Sequence, residues 1–89
     1  MIRQQLTIVN RLGLHARAAA KLVSTAAQFG SALRLEREGK KADAKSIMAV
    51  MMLGASKGAI VTVEAEGDDE AAAMGAIETL IAQRFGEDE

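Results

Sequence analysis

The chain has 89 residues, with 11 Lys and Arg against 12 Asp and Glu, one His, no Cys, no Trp and no Tyr. One domain over residues 1–89 is all this length accommodates. The missing cysteines exclude disulfides, thiolate chemistry and sulfur-based zinc sites, and a net charge of −1 with two Phe as the only aromatics leaves neither a basic field nor a stacking platform for nucleic acid.

Ile2, Leu6 and Ile8 alternate with Gln5 and Thr7, the pattern of a strand with one face inward, and Asn10 to Gly13 reads as a turn. From Ala16 to Phe29 the period becomes helical: Ala19, Leu22, Val23, Ala26 and Ala27 form one stripe, with Gly30 as the stop. Leu33 and Leu35 alternate with Arg34 and Glu36 in a second strand, Glu38-Gly39-Lys40 turns the chain, and Lys41 to Ala44 suits a short third strand. Ser46 then has the position of an N-cap for about two turns of helix over Ile47–Leu53, closed by Gly54. Ala59 to Glu66 is the clearest strand, with Val61, Val63 and Ala65 inward. Gly67-Asp68-Asp69 breaks it and caps a last helix whose apolar stripe is Ala73, Met74, Ile77, Leu80 and Ile81. The acidic end Glu87-Asp88-Glu89 is expected to fray. The order β-α-β-β-α-β-α implies an α+β fold, with helices on one face of a four-stranded, mostly antiparallel sheet. No apolar run approaches the roughly 20 residues of a membrane span, and Met1 to Asn10 lacks the apolar core of a signal peptide, so a cytoplasmic protein is expected.

The chemistry concentrates at Gly13-Leu14-His15-Ala16-Arg17, where a strand pattern gives way to a helix pattern. A helix start offers unpaired N–H groups and the positive end of the dipole to an anion. A lone imidazole there has a ring nitrogen to attack phosphorus, and the Arg17 guanidinium can place donors on phosphoryl oxygens that gain charge in transfer. For a lone His the plainer reading is a surface N-cap. A hydrolytic triad has no support, because no acid lies near His15 in sequence and no nucleophile motif appears; a metal held by one His without neighbouring ligands is weaker still. Ser46 is a second candidate. Capping explains it fully, yet phosphate is also tolerated electrostatically at an N-cap. The third feature is the run Ile47, Met48, Met51, Met52. A two-turn helix cannot bury all its large apolar side chains, so Val50 and Leu53 are assigned to the core, and the soft residues left outside suit a docking patch.

Asn10-Arg11-Leu12-Gly13-Leu14-His15-Ala16-Arg17 with Ala19-Ala20-Lys21-Leu22-Val23, and Lys45 to Ala55 ending in Lys57-Gly58, together resemble the HPr family, the histidine-phosphorylatable carriers of bacterial phosphoenolpyruvate-dependent phosphotransferase systems. Length and element order agree across the whole chain. The resemblance implies an open-faced β-sandwich with strand order 1-4-2-3. It also implies phosphorylation of His15 at Nδ1 by enzyme I, transfer to sugar-specific EIIA domains, and Arg17 against the phosphoryl group. It further implies that Ser46 is a regulatory site for HPr kinase/phosphorylase, and that Ile47, Met48 and Met51 dock partners together with Ala16 and Ala20. Such a protein is a stoichiometric carrier rather than an enzyme, needs no cofactor or metal, and is expected to be a monomer. The sequence departs from the family at Ala18, where proline is usual. Alanine is the better helix former, so altered transfer rates are expected rather than lost function.

Two other readings compete. A carrier of the nitrogen-related branch (NPr) shares the His motif and ends in a similar acidic tail, although Ser46 to Ala55 looks closer to the sugar type. A regulatory binding module would act through Ser46 and the Met48/Met51 patch with His15 incidental; relatives of that kind lack the histidine.

Overall fold

In the computed structural model, which describes all 89 residues, the elements are β1 (Ile2–Thr7), α1 (Ala16–Ala26), β2 (Ala32–Arg37), β3 (Lys40–Asp43), α2 (Ile47–Met52), β4 (Ile60–Glu66) and α3 (Glu70–Ala82), followed by a 3₁₀ turn at Arg84–Gly86. The strands form one sheet in the order β1-β4-β2-β3, and every neighbouring pair is antiparallel. This is the α+β open-faced sandwich expected from the sequence. Antiparallel pairing suits a sheet with one dry and one wet face.

The dry face is set by alternation. Val61, Val63 and Ala65 of β4 and Leu33 and Leu35 of β2 are all buried, and the register places Leu33 opposite Ala65 and Leu35 opposite Val63. The three helices cover this face, and 21 buried apolar residues form one cluster. Small side chains are what let the layers close: Ala18, Ala19 and Ala26 of α1, Ala65 of β4 and Ala73 of α3 are fully buried. Each Leu, Ile or Val in this cluster contributes about 1.5–3 kcal/mol by leaving water.

The structure differs from the sequence expectation at two helix ends. α1 stops at Ala26 rather than at Phe29, and Ala27 is exposed. The reason is tertiary. Asp69 occupies the N-cap position of α3, but its side chain makes no cap bond. Its carboxylate instead accepts from the Gly30 N–H at 2.9 Å, the Ser31 N–H at 3.0 Å and the Ser31 hydroxyl. Those bonds hold Asp69 below the usual carboxylate range, the Ser31 hydroxyl having the largest effect, and they turn the chain out of α1 before the periodicity runs out. The Glu70 carboxylate accepts from the Gly67 N–H at 3.2 Å and pairs with the N-terminal ammonium at 3.0 Å.

The second difference is the C-terminus, which does not fray. Phe85 is fully buried in the core. Arg84 and Phe85 take left-handed φ values of 57° and 55°, and Gly86 follows at 78°. Two successive non-glycine residues in that region persist only where the surroundings over-determine them. Here the anchors are the Phe85 ring inside and Lys21 outside, whose ammonium donates to the Phe85 carbonyl at 2.6 Å. The turn carries the last residues back across the start of α1.

Candidate functional site

The loop that presents His15 is braced before the helix begins. Gly13 has φ +66°, and a Cβ there would overlap the Ala55 carbonyl oxygen and come within 2.7 Å of Ser56 Cα. Only glycine allows this approach, which the Leu14 N–H completes by donating to the Ala55 carbonyl at 2.9 Å. The segment leaving α2 therefore fixes the segment entering α1. Asn10 supports the same loop from inside. It is fully buried, and its Nδ2 donates to the Gly13 carbonyl at 2.8 Å and to Glu87 Oε1 at 3.1 Å. Its Oδ1 has no partner. Rotating the amide would aim that oxygen at two acceptors, so the hydrogen bonds fix its orientation.

His15 is the N-cap residue of α1, with φ −72° and ψ 177°, and its side chain makes no capping hydrogen bond. Its Nε2 is hydrogen-bonded to Glu87 Oε2. Glu87 is held below the ordinary glutamate value of 4.5, first by the Asn10 amide and then by His15, with Arg17 adding a smaller electrostatic pull. A carboxylate is acceptor-only, so Nε2 carries the ring proton in this arrangement and the neutral ring has its lone pair at Nδ1.

Around the imidazole lies an open cleft. Arg11, Leu12, Ala16, Arg17 and Lys21 form one side and Gly86 to Glu89 the other. Its three cations differ in how they are engaged. Arg11 pairs with Glu89 at 2.8 Å and Lys21 donates to Phe85, whereas Arg17 is exposed and belongs to no ion pair. A helix start without a side-chain cap, an imidazole with one open nitrogen and an unpaired guanidinium make up an anion-receiving constellation.

Ser46 lies outside this cleft. It caps α2, its Oγ accepting from the Ala49 N–H at 3.3 Å. α2 buries Val50, and Leu53 just after it is also buried. Ile47, Met48, Met51 and Met52 are all exposed, Met52 the most at 74%. α1 packs beside α2, with Ala16 exposed on the cleft and Ala20 half-buried in a shallow depression next to Arg17 and Lys21. Sequence reasoning did not single out four contributors: Asn10, Lys21, the exposed Leu12 and Glu87. Periodicity could have given none of the polar three, since Glu87 reaches His15 across 72 residues and Lys21 reaches Phe85 across 64.

Comparison with known proteins agrees along the whole chain. The protein family described as PTS HPr component phosphorylation site matches residues 2–83. The phosphocarrier protein HPr of Cupriavidus necator is 54% identical over 89 residues, covering all of both chains. Among solved structures, HPr-C-His from Thermoanaerobacter tengcongensis superposes with a TM-score of 0.96 at 47% identity, covering 100% of each chain. An HPr dimer from the same organism gives a TM-score of 0.79 at 48% identity, covering 98% of this chain and 100% of that one.

Proposed function

This chain belongs to the HPr family of phosphocarrier proteins of the phosphotransferase system, and on that premise we propose that it accepts a phosphoryl group on His15 from phosphorylated enzyme I and passes it to EIIA domains for sugar uptake. The observation that carries this reading is the side chain of His15. It stands at an uncapped helix start, beside the unpaired Arg17, in a cleft open to a partner. In the transfer, the His15 lone pair forms a P–N bond as the donor's bond to phosphorus breaks, and the donor's ring nitrogen keeps the electron pair. Arg17 supplies N–H donors to the equatorial oxygens, and the first-turn N–H groups of α1 face the same charge. Nothing is turned over, so the protein acts as a stoichiometric carrier.

Ala16, Ala20, Ile47, Met48 and Met51 are the proposed docking residues, a role supported by the exposure of Ala16, Ile47, Met48 and Met51, by the half-buried Ala20 on α1 and by the packing of α2 against that helix. Ser46 is the proposed regulatory phosphosite for an HPr kinase/phosphorylase, at a helix end where a phosphate is electrostatically tolerated. The working state is proposed to be a cytoplasmic monomer, which sedimentation of the pure protein tests. No helix is long and apolar enough to cross a membrane.

The decisive experiment is intact mass after incubation with phosphoenolpyruvate, magnesium and a bacterial enzyme I. One acid-labile phosphoryl group is expected on the parent and none on His15→Ala. No mass change in the parent with either a sugar-type or a nitrogen-type enzyme I would overturn the carrier reading. Faster labelling by the nitrogen-type enzyme in direct competition would reassign the branch.

A further inference from the structure

Both side chains that hydrogen-bond Glu87, Asn10 and His15, belong to the loop that enters α1, whereas Glu87 comes from the far end of the chain, and the contacts lead to one ring nitrogen. Asn10, buried behind the loop, holds one carboxylate oxygen, and His15 Nε2 holds the other. The strained turn at Arg84 and Phe85 aims the segment, and Lys21 and the Arg11–Glu89 pair pin it on either side. Arg17 faces the same carboxylate without pairing to it. A short acidic end with no role would have no need of a fully buried Phe85 or of two left-handed non-glycine residues in succession.

We propose that Glu87, oriented by Asn10, is a positioning residue of the acceptor site, keeping the His15 proton on Nε2 so that Nδ1 is the nucleophile. The reading of His15 as the phosphoryl acceptor underlies this assignment. The two ring nitrogens lie on opposite edges of the imidazole, so the carboxylate sits away from the attacking nitrogen and does not compete with the incoming phosphoryl group. Its action is also tied to the course of transfer. As the Nδ1 lone pair forms the P–N bond, the ring becomes cationic while its proton stays on Nε2. The carboxylate then faces a full positive charge instead of a neutral N–H, so the hydrogen bond strengthens as the new bond forms. The logic is that of an acid orienting a histidine, with the imidazole as nucleophile in place of base.

The test uses the full chain labelled with ¹⁵N at histidine, in parent, Glu87→Ala and Glu87→Gln forms. In the parent at neutral pH the ring spectrum should show a protonated Nε2 with slowed solvent exchange and a bare Nδ1. In Glu87→Ala, exchange at Nε2 should accelerate and some Nδ1–H form should appear. Glu87→Gln, which can still accept but carries no charge, should keep much of the parent spectrum. In single-turnover phosphorylation by phosphorylated enzyme I, Glu87→Ala should lose about tenfold in the transfer rate constant, the worth of one charge-assisted hydrogen bond. Half-saturation by the carrier should change little. Glu87→Gln should fall between the two.

A parent ring protonated on Nδ1 would overturn the proposal. So would a Glu87→Ala variant whose ring spectrum matches the parent, whether or not its rate falls, since a fall without a change at the ring would place Glu87 in partner binding. A parent that is never phosphorylated would defeat the carrier reading instead, and the ring spectrum would still report on Glu87.

Discussion

α1 and α2 pack against each other, and their first residues treat the same physical problem in opposite ways. Both N-caps are extended, at ψ 177° for His15 and 112° for Ser46. At Ser46 a short side chain reaches back to its own helix and satisfies the Ala49 N–H. At His15 the ring is turned away to Glu87 and caps nothing. One helix start is closed by its own sequence, and the other is held open while an external brace keeps it in place. A helix start keeps its first N–H groups free for an anion when its cap residue is engaged elsewhere, and something other than a cap must then fix the backbone.

The largest expected effect tests that brace. Gly13→Ala forces a Cβ into the Ala55–Ser56 backbone at a positive φ, and we expect a loss of about 2–4 kcal/mol in urea unfolding. A change below about 0.5 kcal/mol, the size of an ordinary surface substitution, would show that the open end does not depend on this approach. Ser46→Ala removes a true cap and should cost about 1 kcal/mol. His15→Ala in the same assay should cost under about 0.5 kcal/mol, because it breaks only a part-exposed pair; equal losses at the two positions would erase the contrast. Ala18→Pro tests whether the open start tolerates a fixed φ at its third residue. Its N–H lies among the first four of α1, which have no partner within the helix, so a gain of about 0.5 kcal/mol is expected from a stiffer unfolded chain. A loss instead would mean that the fully buried Ala18 leaves no room for the ring.

The smallest effect concerns pH. Because Glu87 is depressed below the ordinary value of 4.5 in the folded protein, its contribution is fully present above that value and disappears as pH falls through the folded one. The parent should therefore melt above Glu87→Gln at neutral pH and converge with it on strong acidification. A gap that persists in acid would mean the carboxylate charge is not its source.

What could be read in the chain beforehand follows the range of the interactions. β4 and β2 were legible because Val61, Val63, Leu33 and Leu35 declare a face by period alone. Ser46 was legible as a cap because capping is settled within three residues. His15 and Arg17 stood out because a helix start is local. The end of α1 was overrun, since Ala27-Gln28-Phe29 still suits a helix and the bonds that stop it come from Asp69, 38 and 39 residues away. The tail differs from its expectation for the same reason: Glu87-Asp88-Glu89 has the composition of a solvated end, but one buried aromatic, Phe85, anchors the turn before it to the core.

The sheet face opposite the helices has a consequence of its own. Arg3, Glu64, Arg34 and Asp43 stand in register across all four strands, alternating in sign. Arg3 reaches Glu64 at 3.6 Å, and Arg34 reaches Glu64 at 3.3 Å and Glu66 at 3.4 Å. Charges cancelled over such distances project little field beyond the roughly 8 Å over which physiological salt screens. The cleft at the imidazole is balanced as well, with Arg11, Arg17 and Lys21 set against Glu87, Asp88 and Glu89, so neither surface reaches far with its field and encounter rates with partners should depend only weakly on ionic strength.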